Sequence, residues 1–497
     1  MRRVAGPLAI LATVVLVSAC SAGGGSTASG SPTTVPTRLL AGQPMASCVI
    51  HGDVPVTADV DGLCGSFEVP EDRSHPDGRR ISLRVAVVPA AAAVPAPDAF
   101  VAIAGGPGDA STSFFAWLPG LYSGVHATHD IVLVDQRGTG ESNAMTLPPL
   151  PDTTGLPATE ADARLTAWAR DGLAALDGDP RLYTSTVAAD DLDEVRAALG
   201  YDQLDLYGTS YGGTLAQYYL RQHPEHVRVA VLDGASPLDV PVLEAMAANS
   251  QGAIELLLSR CEADAACHAA FPDLDAEWSA LVDALRTGIT VTDPASGAQV
   301  TADLTTVGPS VHLALLTGDA AARLPLAIHL AAEGRWDRAT ELVPPPASGG
   351  TTLAMKDVIL CSEAWARFDP VEVARTGVGS YYEPYAVGWA ESLAAMCRAL
   401  PTGVVAADDG APVATSIPIL WLTGDGDPQD GPTNLTAVPA QEPASRILVM
   451  PAQEHVVGHL GCGPAVIAAF VDAGTADGLD SACLTRGADP SPSFALP

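Results

Sequence analysis

The amino-acid sequence predicts a mostly parallel α/β sheet covered by helices on both faces and interrupted by a long helical insertion. Three observations carry that expectation. Apolar runs at Ala99–Ala104, His129–Val134, Val227–Leu232 and Ile417–Leu422 are continuous, as strands buried on both faces should be. Segments of helical period stand between them: Thr186–Leu199, with Val187, Leu192, Val195, Ala198 and Leu199, closes at Gly200. From about Leu238 to Leu400 the chain is alanine-rich and mostly helical in period, and the strand pattern resumes only afterwards.

Taken in order, the chain begins with Arg2 and Arg3, an apolar stretch Leu8–Val17, and Val17-Ser18-Ala19-Cys20. This is the pattern of an export leader, and its ending resembles the bacterial lipobox, in which the cysteine is lipidated. The apolar stretch is too short to span a membrane. Ser21–Pro36 is rich in Gly, Ser, Thr and Pro and reads as a flexible tether. Cys48–Cys64 reads as a loop-rich entry. Gly65–Val69 and Arg80–Val88 follow as a hairpin, expected at an antiparallel edge of the sheet. The expected division is a leader at 1–20, a tether at 21–46, a first sheet part at 47–237, a helical cap at 238–400 and a second sheet part at 401–497.

The chain has 497 residues, 47% of them hydrophobic, and a formal net charge of −33. Such acidity disfavours nucleic acid and anionic membrane surfaces as partners. The basic residues are almost all arginine. Lys356 is the one lysine, which reads first as compositional bias. Of nine cysteines, Cys20 is assigned to the lipid and eight remain, an even number for a compartment that permits disulfides. Their positions suggest local pairs, Cys48 with Cys64, Cys261 with Cys267, Cys361 with Cys397 and Cys462 with Cys483, although sequence alone does not choose among the connectivities. No C-x-x-C spacing favours zinc, so no metal and no cofactor is expected.

The stretch Leu204–Gln217, L-D-L-Y-G-T-S-Y-G-G-T-L-A-Q, organises the rest. It reads as strand, G-x-S-x-G, helix, the elbow that presents the nucleophilic serine of α/β-hydrolases. Glycines at 208 and 212 are needed where a Cβ would strike neighbouring backbone. Ser210 is therefore the candidate nucleophile. Its hydroxyl needs a base, and the base needs a carboxylate to orient it. Asp427 and His455 follow later strands in the chain order nucleophile, acid, histidine. Asp425 and His459 are the respective alternatives. The amide of Tyr211, at the start of a helix, and that of Gly106, in the Gly105–Gly108 loop, are the candidate oxyanion donors.

Gly105-Gly106-Pro107-Gly108, then Asp135-Gln136-Arg137-Gly138-x-Gly140-x-Ser142, then Gly208-x-Ser210-Tyr211-Gly212-Gly213 resembles the proline iminopeptidase and tripeptidyl aminopeptidase family of secreted α/β-hydrolases. The resemblance covers about Cys48–Cys483. It implies an α/β-hydrolase fold with an inserted helical cap and removal of residues or short peptides from free N-termini. It also carries Ser210, Asp427 and His455 over as a triad, and Tyr211 and Gly106 as oxyanion donors. Glu363, in Cys361-Ser362-Glu363, falls where the family often has an acidic residue and is the candidate for binding the substrate amine. The chain departs from the family pattern at Ala104, at Asp430 (where a threonine is usual) and at Glu454 and Val456 beside His455.

Other charged residues have plainer expectations. Asp135 and Arg137 should pin the loop below the site. Asp190, Asp191, Asp193 and Glu194 should form the solvated start of a helix. His312 and His329 should lie in the cap core. The chain is thus expected to be an exported, lipid-anchored, monomeric serine hydrolase acting on a peptide or small ester. A carboxylesterase with the same triad, or a binding lipoprotein on an inactive hydrolase fold, are the alternatives.

Overall fold

The computed structural model describes residues 43–52, 59–117, 119–153, 156–293, 297–345, 352–364, 368–485 and 493–497. Cys20, the leader and nearly all of the tether lie outside the described residues. Thirteen strands occur among them: β1 Ala46–Ile50, β2 Val60–Pro70, β3 Arg80–Val88, β4 Ala99–Ile103, β5 Asp130–Val134, β6 Thr146–Leu147, β7 Leu204–Thr209, β8 Val227–Asp233, β9 Ile289–Thr292, β10 Gln299–Ala302, β11 Thr352–Leu353, β12 Ile419–Gly424 and β13 Arg446–Met450. Nine of them form one sheet in the order β1-β2-β3-β5-β4-β7-β8-β12-β13. The pairs from β5 through β13 are parallel, and β1, β2 and β3 join as an antiparallel edge.

The continuous apolar runs behave as their composition demands. Every residue of β4, β7 and β12 is buried, because helices cover both faces there. In β3 the residues Ile81, Leu83, Val85 and Val87 point inward and are buried. The entry segment departs from expectation. Residues 46–50 and 60–70 pair as strands, with Ala46 opposite Cys64, so the Cys48–Cys64 bridge spans a sheet edge instead of closing a loop. The other three disulfides are Cys261–Cys267, Cys361–Cys397 and Cys462–Cys483.

Between β8 and β12 the chain is mostly helical and has its own apolar cluster, which includes Leu257, Trp278, Leu285, Val311 and Tyr381. Two strand pairs there escape the sequence pattern. β9 and β10 form a hairpin, and β11 pairs with β6 from the first half of the chain. The second pairing is two residues long, too short to show a period.

The loop after β5 is held from below. Arg137 is fully buried; its Nε and one terminal nitrogen donate to the two carboxylate oxygens of Asp191 at 2.6 and 2.7 Å, and it also donates to the carbonyls of Glu71 and Leu182. Asp135 accepts from the amide and hydroxyl of Thr112 at 2.9 Å each. Breaking a buried pair such as Arg137–Asp191 costs about 3–5 kcal/mol, since it strands the partner charge. The acidic run 190–194 is therefore not a solvated helix start. It lies within the helix Ser185–Leu199, where Asp191 also receives Arg73 at 2.6 Å and Asp193 receives Arg196 and Tyr219.

Candidate active site

Ser210 sits between β7 and the helix Tyr211–Gln222 with φ 53° and ψ −124°. An L-residue held there stores on the order of 1–3 kcal/mol of backbone strain, which surrounding contacts must hold in place. Those contacts are backbone against backbone. A Cβ at Gly208 would lie 2.3 Å from the carbonyl oxygen of Gly212, and one at Gly212 would lie 2.3 Å from that of Ile103. The Ser210 amide donates to the carbonyl of Asp233 at 2.9 Å, and the Gly213 amide to the carbonyl of Ser210 at 2.8 Å. The turn is thus locked between β4, β7 and β8.

The Gly105–Gly108 loop follows β4 and lies beside this turn. Gly106 has φ +110°, and a Cβ on Gly105 would come within 3.2 Å of the Ser210 Cβ. Only glycine fits that approach. Gly106 and the first residue of the helix, Tyr211, both line the cavity that Ser210 faces. The Tyr211 phenol is buried behind it, held by Gln136 at 3.0 Å and by Ser185 at 2.7 Å.

Asp427 follows β12 and His455 follows β13. His455 Nδ1 bonds Asp427 Oδ2 at 2.7 Å, while Asp427 Oδ1 accepts the amides of Gln429 and Asp430 at 2.9 and 2.8 Å. Asp425 is turned elsewhere and accepts the amide of Ala452, and His459 is exposed. The histidine ring packs against Gly234, where a Cβ would meet its Cε1 and Nδ1 at 3.1 Å. Since Ser210 is bonded to Asp233, serine and histidine converge on neighbouring residues at the end of β8.

Asp233 explains that convergence. It is fully buried, and its carboxylate accepts the Tyr207 hydroxyl at 2.6 Å and the amides of Val457 and Gly458 at 2.8 Å each. In the sequence this residue reads only as a strand end. An acid closing a run of apolar residues is the one signal available there.

The electrostatics concentrate on His455. Burial disfavours its charged form, but the charge and hydrogen bond of Asp427 outweigh that, and Asp430 and Asp233 add to the attraction, so its pKa is raised to about 9. Asp427 is held below its ordinary value: burial opposes this, and the adjacent imidazolium prevails. Asp430 is pushed up to about 6, first by burial and then by the charge of Asp427. It accepts the Ser236 hydroxyl at 2.6 Å and lines the cavity. His312 is held neutral, near 4, by burial. It bonds Ser250 at 2.7 Å and stacks on Tyr382 at 4.5 Å, and it too lines the cavity, so it belongs to the site as well as to the helical core.

Glu363 lies in the wide turn Leu360–Ala364 and is 2% exposed. One carboxylate oxygen accepts the amide of Ser185 and the other its hydroxyl, both at 2.7 Å. The residue therefore caps the helix Ser185–Leu199 while lining the same cavity as Ser210. That cavity holds about 440 Å³. Two histidine–carboxylate clusters away from the cavity, Asp193/His223/His226 and Asp98/His129/Asp205, each already hold an arginine, Arg196 and Arg228 respectively.

The sheet order, the serine on a strained turn after β7 and the paired acid and histidine after β12 and β13 define the α/β-hydrolase fold. Residues 98–254 match the family model for that fold. Among curated proteins the chain is 29% identical over 229 residues to serine protease Hip1 of Mycobacterium tuberculosis, covering 41% of this chain and 42% of the relative. It is 31% identical over 186 residues to tripeptidyl aminopeptidase of Streptomyces lividans, covering 34% of each. The chain thus spans less than half the length of the curated relatives it matches. Among solved structures, a proline iminopeptidase of Mycobacterium smegmatis aligns with 82% of this chain and 98% of its own, at 15% identity and a TM-score of 0.40.

A base must be neutral to accept a proton, so with His455, its pKa raised to about 9, in the role of the base, activity is lost as pH falls below that value. For an uncharged ester, kcat/KM should rise towards pH 9, and Asp430→Asn, which removes one attracting anion, should move that limb to lower pH. A limb near the ordinary 6.5 of histidine, unmoved by Asp430→Asn, would contradict this electrostatic picture.

Proposed function

We propose that the protein is an exported serine peptidase that cleaves near a free N-terminus through an acyl-enzyme, with Ser210, His455 and Asp427 as its triad. The observation that carries this reading is the Asp427–His455 bond at 2.7 Å, set against a strained Ser210 that faces a cavity with a buried carboxylate in its wall. The partial likeness to a serine protease and a tripeptidyl aminopeptidase supports it.

In this mechanism His455 takes the proton of the Ser210 hydroxyl as Oγ attacks the substrate carbonyl carbon. The amides of Tyr211 and Gly106 receive the developing oxyanion. Asp427 keeps Nδ1 protonated and stabilises the imidazolium. His455 then protonates the leaving amine, and water, activated by the same imidazole, releases the acyl group. We assign the helical stretch 238–400 the role of a cap that closes the cavity over the sheet.

Glu363 is assigned to the substrate ammonium. Its carboxylate is buried in the wall of the cavity that Ser210 faces, positioned by the amide and hydroxyl of Ser185. Anchoring of the mature chain through a lipid on Cys20 completes the reading.

Ser210→Ala should abolish labelling by a fluorophosphonate and all turnover while leaving thermal stability within about 0.5 kcal/mol, as for a residue with few packing contacts. Retained labelling would remove the central assignment. On a panel of peptides and aryl esters, Glu363→Gln should lower kcat/KM for free-amine peptides tenfold or more, on the order of 1.4 kcal/mol. N-acetylated peptides and small esters should lose far less, and equal losses would remove Glu363 from amine binding. Cys20→Ala should release the protein from the membrane fraction; unchanged fractionation would refute the lipid anchor.

A further inference from the structure

Lys356, the one lysine in the chain, lines the cavity that holds Ser210. It is exposed, and among the described residues its ammonium makes no hydrogen bond and no ion pair, whereas most arginines of this chain are paired with a carboxylate. Among the described residues no arginine lines the cavity, and there the Lys356 ammonium is the one permanent positive charge. A lone cation in a pocket of a protein with net charge −33 is out of keeping with a surface otherwise built to be acidic.

Its placement relative to Glu363 is regular. Lys356 stands on the helix Ala354–Ile359, which runs directly into the turn Leu360–Ala364. Residues 356, 359, 360 and 363 fall on one helical face, and all four line the cavity. The cation and the anion thus stand on the same wall of the cavity, one on the helix and the other on the turn that follows it. Ile359 and Leu360, between the charges, supply apolar surface for a central side chain.

Both ends of the face are held in place. The Ala354 amide donates to the carbonyl of Met145 at 2.8 Å beside the β6–β11 pair, and Met355 packs under Gly138. The Glu363 turn is tied by its bonds to Ser185 and by the Cys361–Cys397 bridge to the helix Glu383–Ala399.

We propose that Lys356 forms an anion subsite, and that the preferred substrates are short peptides carrying a carboxylate as well as the free amine. This rests on the peptidase reading for the amine at Glu363, but the anion subsite itself does not. The carboxylate can come from the peptide C-terminus or from an acidic side chain. Beyond about 8–10 Å the overall negative charge is screened in physiological salt, so the lysine governs selection only once the ligand has entered.

Three substrate pairs test the proposal on the full enzyme: trialanine against its C-terminal amide, Ala-Glu-Ala amide against Ala-Gln-Ala amide, and the monoaryl ester of succinate against the aryl ester of butyrate. Wild type should prefer the carboxylate-bearing member of at least one pair. Lys356→Met should cut that kcat/KM ratio tenfold or more, Lys356→Glu should cut it further, and Lys356→Arg should restore most of it. The first two pairs separate a C-terminal from a side-chain source. Ratios near one in wild type, or ratios that Lys356→Met and Lys356→Glu leave unchanged, overturn the subsite. If peptides are not cleaved but the ester pair shows the lysine-dependent ratio, the peptidase reading fails and the subsite stands. If peptides are cleaved with no such ratio, the subsite fails and the peptidase reading stands. Should Lys356→Met prove inactive, the ratio in Lys356→Glu set against that in Lys356→Arg decides.

Discussion

Asp233 is the point on which the site depends. Its backbone carbonyl takes the amide of Ser210, and its carboxylate takes two amides of the loop that follows His455. One fully buried residue at the end of β8 thereby fixes the serine turn on one side and the histidine loop on the other. A carboxylate in such a place must have its charge or its proton matched by donors, and three donors converge on it: the Tyr207 hydroxyl and the amides of Val457 and Gly458. Burial still pushes its own carboxyl upward. The parallel sheet makes this sharing of one residue natural, because consecutive strand ends lie side by side on one edge.

Around that anchor the site gathers more negative charge than one histidine needs. Asp427 bonds His455 directly, while Asp430, three residues on, sits buried in the cavity wall. A carboxylate there is a titrating group where a hydroxyl would stay neutral. The local bonds to Ser236 and Gln429 satisfy it, and the two acids then compete for the same imidazolium.

The cavity is built from two sources. The sheet supplies Gly106, Ser210, Tyr211 and Asp430, and the helical stretch between β8 and β12 supplies His312, Lys356, Glu363 and Tyr382. The β6–β11 pair and the Ser185–Glu363 bonds join the two at separate points. The proposed triad stands on the sheet side, and the charges proposed to select a substrate stand on the helical side.

Sequence alone determined the alternation of strands and helices, the glycines of the elbow and the positions of Ser210, Asp427 and His455 directly after strands. These are local features. Continuous apolar runs, backbone contacts that exclude a Cβ, and residues at strand ends are all written within a few positions of one another. The four disulfide pairs were legible for a related reason, since each joins cysteines near in sequence. What only the tertiary structure decided involves partners far apart in the chain. Asp191 reads as a solvated helix residue until Arg137, fifty-four positions away, is folded onto it. His312 reads as core until its helix is laid against the cavity, and Lys356 reads as compositional bias until it faces the same space as Ser210. Periodicity tells which face of an element is apolar, but which other element covers that face is a matter of long-range packing, and it was there that the charges of this site acquired their neighbours.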